Sequence, residues 1–318
     1  MICSQFLYTM MLDTISLNID YSKQGLTLNN VTSLFSTNVY EHYKKGGDNY
    51  WITGSNKDWG LKANNKVLII TGSIAKNINK SNFYTPTYSQ IIDYFNNASN
   101  TLNIDLFKAN IKRIDIANNI LMEEPPKVYY KFLGEQKGWT KNGYDGTEQW
   151  KNKSRETKLM YDKSKWAKDT SNFIPGEFEN KNVLRWEYRC LNNNSLTKII
   201  GNNTELNCLL NEPNYMLLFK ASIKQYNNIP KINNIDFMID NVKTPKEAID
   251  GLLVTLVQNS DERIVKNYFD TLDNKGVFKN RTQKYRYKNM IHDKLSKHRS
   301  KNDYIDELDS KINNIKAL

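Results

Sequence analysis

The stretch VLRWEYRCL, residues 183–191, constrains this 318-residue chain more than any other. Leu184, Trp186, Tyr188 and Cys190 alternate with Arg185, Glu187 and Arg189, the period-two pattern of a strand with one apolar and one charged face. Two other segments repeat the design. In IKRIDIANN, Ile114 and Ile116 oppose Arg113, Asp115 and Ala117; in TKLMYDKS, Leu159, Tyr161 and Lys163 oppose Met160 and Asp162. If these strands pair in one antiparallel sheet, one face closes on a core and the other collects carboxylates, a phenol and guanidinium groups. That face is either a catalytic surface or the wet side of an ordinary sheet crossed by salt bridges.

The remaining elements fit an α+β chain with a central antiparallel sheet and a helical C-terminal module. Ile15, Leu17 and Ile19 alternate in MLDTISLNID, so the ordered part is expected to begin near Met11. KVLIITGSI, residues 66–74, reads as a second strand, and residues 89–102 as an amphipathic helix carrying Ile91, Ile92, Phe95 and Leu102. The Gly- and Lys-rich stretch 123–156 reads as a helix, a long loop and a hairpin arm. Composition changes near 231–243, and Thr244-Pro245-Lys246-Glu247 has the form of a capping box opening a helix. The expected domains are thus 11–231 and 244–318, with helix breaks near Asn274-Lys275-Gly276 and Ser300.

Charge separates the two parts. The chain carries a formal net charge of +11, which favours a polyanionic partner. Residues 275–301 hold ten cations against the single acid Asp293, with Phe278, Tyr285 and Tyr287 interleaved. Lys279, Arg281, Lys284, Arg286 and Lys288 are the expected DNA contacts, since cations serve phosphates and rings can stack on bases; a solvated helix face is the plainer alternative. Only His42, His292 and His298 occur, none at a paired ligand spacing, which argues against zinc and a Ser-His-Asp hydrolase. Thr71-Gly72-Ser73 and Gly46-Gly47 do not form a phosphate-binding loop. Cys3, Cys190 and Cys208 supply no disulfide framework, no apolar run approaches the ~20 residues of a membrane span, and a cytoplasmic location is expected. Any metal should be a hard ion on carboxylates, with Asp115 and Glu187 the best candidates.

In their order along the chain, MLDTISLNI, TGSIAKNINKSNFY, RIDIANNI, KLMYDKS, LRWEYRCL and NYMLLFKASIKQYNNIPK resemble the gene II/gene X type replication proteins of phages and plasmids. The likeness extends more distantly to the rolling-circle initiators of staphylococcal plasmids. It implies a nuclease domain that nicks and rejoins origin DNA, single-stranded or in supercoiled or cruciform form, in a bacterial host, with a host helicase as a candidate partner. It further implies Tyr161 as nucleophile with Lys163 beside it, Asp115 and Glu187 as ligands of Mg²⁺ or Mn²⁺, and Arg113, Arg185 and Arg189 on phosphates. Tyr129, Tyr130, Tyr144 and Tyr188 are alternative nucleophiles. The strand Val67–Gly72 lacks the acid that plasmid relatives carry there, so a third ligand is not located. A non-catalytic origin-binding protein and a metal-dependent endonuclease using water are the rival readings.

Overall fold

The computed structural model describes residues 11–43, 50–144, 146–153, 155–232, 244–247, 250, 252–253, 262–297 and 303–315. Ten strands form one sheet: β1 (Met11–Ile19), β2 (Thr37–Tyr43), β3 (Tyr50–Asn56), β4 (Trp59–Ala63), β5 (Leu68–Ser73), β6 (Asn110–Met122), β7 (Thr140–Tyr144), β8 (Thr147–Asn152), β9 (Glu156–Asp162) and β10 (Asn182–Cys190). Their order is β2-β3-β4-β5-β1-β6-β10-β9-β8-β7, with every neighbouring pair antiparallel. The helices are α1 (Leu28–Thr32), α2 (Ile74–Asn79), α3 (Tyr88–Leu102), α4 (Lys127–Tyr130), α5 (Lys163–Asp169), α6 (Asn193–Ile200), α7 (Leu206–Leu209), α8 (Glu212–Asn227), α9 (Glu262–Asn274), α10 (Arg281–Lys297) and α11 (Asp303–Asn313). The architecture is therefore α+β, with a large antiparallel sheet and a helical C-terminal region.

The chain divides into two compact units. One comprises residues 1–128, 135–229 and 309–318; the other comprises 129–134 and 230–308. In the first, the apolar face of β10 closes the core as its alternation predicts. Trp186 is fully buried, its indole nitrogen donates to Ser222 Oγ of α8 at 3.0 Å, and its ring meets Tyr226 edge-on at 5.8 Å. Burying the indole with its donor satisfied avoids the desolvation cost of an unpaired N–H. Helix α3 opens with a reciprocal box: Gln90 N–H donates to Thr87 Oγ1 and Thr87 N–H donates to Gln90 Oε1. It buries Ile91, Phe95, Ala98 and Leu102.

Three strands, β2, β3 and β4, go beyond the expected elements. β3 is half-buried along most of its length, and β4 alternates buried and exposed residues over only five positions. Gly72, within the run that failed as a phosphate loop, is explained by packing: a Cβ there would lie 2.6 Å from the Trp59 ring. In the second unit α9 ends at Asn274, at the expected break, followed by Gly276 at φ 71°. The Thr244–Glu247 box closes in both directions, at 3.0 and 3.2 Å. Ser300, Arg299 and Lys301 lie outside the described residues.

Candidate functional site

Directly opposed residues of antiparallel strands share a face, and the registers align three rows across β6, β10, β9 and β8. These are Asn119–Arg185–Tyr161–Thr147, Ala117–Glu187–Leu159–Gln149 and Asp115–Arg189–Thr157–Lys151. The polar face anticipated from the three strands is thus continuous. It forms the floor of a cleft of about 530 Å³, closed at its sides by α2, α5 and the β7–β8 hairpin.

A strand that the alternation alone does not bring to this face adds a third carboxylate. The β1–β6 register runs Leu12↔Ile116 and then Ile15↔Ile114, so a β-bulge sets Asp13 and Thr14 opposite Asp115. Both line the cleft. The signal was present in MLDTISLNI: apolar Leu12 is out of phase with Ile15, Leu17 and Ile19, and a phase break in a strand is what a bulge produces.

Three arginines answer the three acids. Arg113 grips Asp115 with two bonds, Nε to Oδ1 at 2.8 Å and Nη2 to Oδ2 at 2.5 Å. Arg189 Nε donates to Glu187 Oε1 at 2.7 Å and lies 3.5 Å from Asp115 Oδ2, joining the two carboxylates. Arg185 meets Asp13 at 2.6 Å and Glu187 at 3.6 Å, and its Nη1 donates to Asn119 Oδ1 and to the Asn82 carbonyl. The side chains of Arg113 and Arg189 are 35% and 30% exposed and stand on the rim; Arg185 is 0% exposed. Arg185, expected on phosphates, is therefore corrected to a buried organiser of the acids.

Burial pushes Asp115 up to about 6, with the Glu187 charge adding and Arg113 and Arg189 opposing. For Asp13, burial alone would also raise the carboxyl, but the charges of Arg185 and Lys163 outweigh it and hold it below the usual value. The Tyr161 hydroxyl is driven above the ordinary phenol range by burial, despite the nearby Arg185, and is a neutral phenol at pH 7. Its ring lies 6.3 Å from that of Trp166.

Lys163 does not continue the strand face. Asp162 caps α5, its Oδ1 accepting from Lys165 N–H at 2.8 Å, so the period-two rule ends one residue earlier. The Lys163 side chain is fully buried over the Phe83 and Trp166 rings, and its Nζ donates to Asn82 Oδ1 at 2.7 Å. It is not part of the cleft lining. Burial, with the like charge of Arg185, lowers its amine to about 6. The unfolded chain keeps the proton up to about 10.5, so folding must shed it, and the penalty is greatest at and below about pH 6 and declines as pH rises. Lys163→Met is expected to stabilise the sheet unit by about 1 kcal/mol or more near pH 6, with an advantage that shrinks toward alkaline pH. Thermal unfolding across that range checks it; an advantage growing with pH would exclude the buried-amine account.

Of the other tyrosines, Tyr144 lines the cleft at 56% exposure, while Tyr188 points to the core and donates to Glu156 Oε1. Tyr129 and Tyr130 are buried. In the C-terminal unit Lys279, Arg281, Arg286 and Lys288 are exposed. Lys284 is instead held by Asp270 at 2.9 Å and Asp273 at 2.8 Å, tying α10 to α9, and Phe278 stacks on Phe269. Residues missed by the sequence reading are Asp13, Lys76, Asn82 and Gln149, all in the cleft wall.

Among the described residues no group of three or more His, Cys, Asp or Glu side chains is arranged to hold a metal ion. Asp115 and Glu187 nevertheless offer two hard oxygen donors in one cleft, which suits Mg²⁺, an ion commonly held by one or two carboxylates together with water and substrate phosphates. Among the described residues no helix is long and apolar enough to cross a membrane. A search of curated proteins returned no match. The profile of the N-terminal region of the gene II type replication-associated proteins matches residues 11–199, a span that runs from β1 through most of α6 and encloses every cleft residue. The chain belongs to this family of replication-associated proteins.

Proposed function

We propose that the chain initiates rolling-circle replication by nicking and rejoining origin DNA, with Tyr161 as the nucleophile. The observation that carries this reading is the row Arg185–Tyr161–Thr147, which sets a phenol in the cleft beside the Asp115–Arg189–Glu187 cluster. Tyr161 gives its phenolic proton to solvent in the cleft, its oxygen forms the bond to phosphorus, the bond from phosphorus to the 3′ oxygen breaks, and that oxygen takes a proton from solvent. The 3′ oxygen leaves as a hydroxyl that primes synthesis, and a 5′-phosphotyrosyl link stores the phosphodiester energy for rejoining. Arg113 and Arg189, partly exposed on the rim, contact the flanking phosphates. Asp115 and Glu187 would hold a divalent ion, Mg²⁺ or Mn²⁺, which when bound polarises the scissile phosphodiester. For that, Arg113 and Arg189 must release carboxylate oxygens to the ion and turn toward DNA.

The exposed cations Lys279, Arg281, Arg286 and Lys288 add sequence-independent affinity through phosphate contacts. Lys284 does not join them, since Asp270 and Asp273 already neutralise it.

The test is a denaturing quench of full-length protein incubated with supercoiled origin plasmid and Mg²⁺ or Mn²⁺. A covalent protein–DNA adduct accompanying the nick is expected. Cleavage without an adduct would identify water as the nucleophile. Binding with neither cleavage nor adduct would favour a non-catalytic origin-binding protein, a reading motivated by the arginine partner that each of the three acids already has.

A further inference from the structure

The cleft has two chemically different halves. Toward β1, β6 and β10 its wall is ionic, with Asp13, Asp115, Glu187, Arg113 and Arg189; toward β8 and the β7–β8 hairpin it is formed by Leu159, Gln149, Thr147 and Tyr144, while the α5 side adds Trp166 with the charged Asp162, Lys165 and Asp169. Tyr161 stands at the seam between them.

Gln149 is the unexpected residue of the second half. It is 7% exposed, lines the cleft, and among the described residues its side-chain amide has no hydrogen-bond partner. The amide opens on the cleft, where it meets solvent while the cleft is empty. A leucine in its place would pack against Leu159, its opposed neighbour on β9, so packing alone does not call for an amide here. The amide is therefore poised for a ligand, and it presents both donors and an acceptor, the pairing pattern of a nucleobase edge. Tyr144 extends the argument. It is a large ring, 56% exposed, at the end of β7 beside Gly146, and among the described residues it has no ring or hydrogen-bond partner, although it lines the same cleft. The distance fits as well. Gln149 and Glu187 lie in one row, two strands apart, so about 10 Å separates their backbones. That is the scale of one nucleotide from phosphate to base.

Resting on the reading of this cleft as the nicking site, we propose that Gln149 and Tyr144 form a subsite for one unpaired nucleobase next to the scissile phosphate. Gln149 reads the edge of the base and Tyr144 stacks on its face. Gln149 then sets sequence preference at one position, and Tyr144 supplies affinity that is indifferent to sequence.

The experiment uses the full chain and a random-sequence pool of short single-stranded deoxyoligonucleotides, selected by binding without divalent ions and separately by nicking with Mn²⁺, each followed by sequencing. The wild type is expected to prefer one base at one position, and Gln149→Leu to lose about tenfold of that discrimination while folding normally. Tyr144→Ala is expected to weaken binding of all sequences about tenfold, with Tyr144→Phe retaining it. An unchanged base profile in Gln149→Leu overturns the edge reading, and unchanged affinity in Tyr144→Ala, or equal losses in the Ala and Phe variants, overturns the stacking. Wild type that selects a base but never nicks sinks the nicking function and leaves the subsite standing. Nicking that is indifferent to Gln149 does the reverse. A pool that does not bind at all overturns both.

Discussion

Tyr161→Phe is expected to eliminate the covalent adduct and to lower nicking by roughly 10³-fold or more, because no other group in the variant can form the same ester at that position. The fold should be nearly untouched. Tyr161 is half-buried, and among the described residues its hydroxyl has no hydrogen-bond partner, so stability should change by no more than about 0.5 kcal/mol. DNA affinity and its salt dependence should also hold, since no phosphate-binding cation is removed. This combination separates loss of a nucleophile from loss of structure. An undiminished adduct would move the nucleophile to another tyrosine. Tyr144 is then the first to examine, because it lines the same cleft, whereas Tyr188 faces the core and is bound to Glu156.

How far the site was legible depended on whether its geometry was local. The face of each strand could be read from alternation, because side-chain direction in a strand repeats every two residues. Asp115, Tyr161, Glu187 and Arg189 accordingly do meet in one cleft. The capping box at Thr244 was equally local, and it closes. The order of the strands was not local. Nothing within TEQWKN says that β8 lies between β9 and the edge strand β7, and without those neighbours Gln149 is one polar residue among many. Asp13 was hidden by a two-residue irregularity that moves it onto the polar face, and Lys163 was misread because an N-cap at Asp162 ended the strand pattern. Exposure was the other missing quantity. Arg113, Arg185 and Arg189 look alike in the sequence, yet the first and last stand on the rim while Arg185 is sealed beneath it.

That sealing makes Arg185→Met the substitution with the largest expected effect on stability, a loss of about 3–5 kcal/mol from the sheet unit, to be measured by urea unfolding. The arginine is fully buried and is paired with Asp13 at 2.6 Å and Glu187 at 3.6 Å, while also donating to Asn119 and to the Asn82 carbonyl. Methionine replaces much of its volume but leaves Asp13, which is 8% exposed, without its guanidinium. Glu187 keeps Arg189. The deficit should therefore trace mainly to Asp13, which gives two further signatures. In Asp13→Asn/Arg185→Met the combined loss should fall short of the sum of the single losses by about 1–3 kcal/mol, since the second change removes the charge that the first had orphaned. The pH dependence should also invert. In the wild type the Asp13 carboxyl is held below its ordinary value of 3.8, so its contribution is present above that pH and is lost on acidification through the lower folded value. With Arg185 gone, burial raises the folded value against only the weaker lowering by Lys163 and the Ser73 hydroxyl, so protonation then favours the folded state and the gap between variant and wild type should narrow as pH falls from about 7 toward about 4. A gap that stays constant over that range, with fully additive losses in the double variant, would mean that Arg185 stabilises the sheet by packing rather than by answering Asp13.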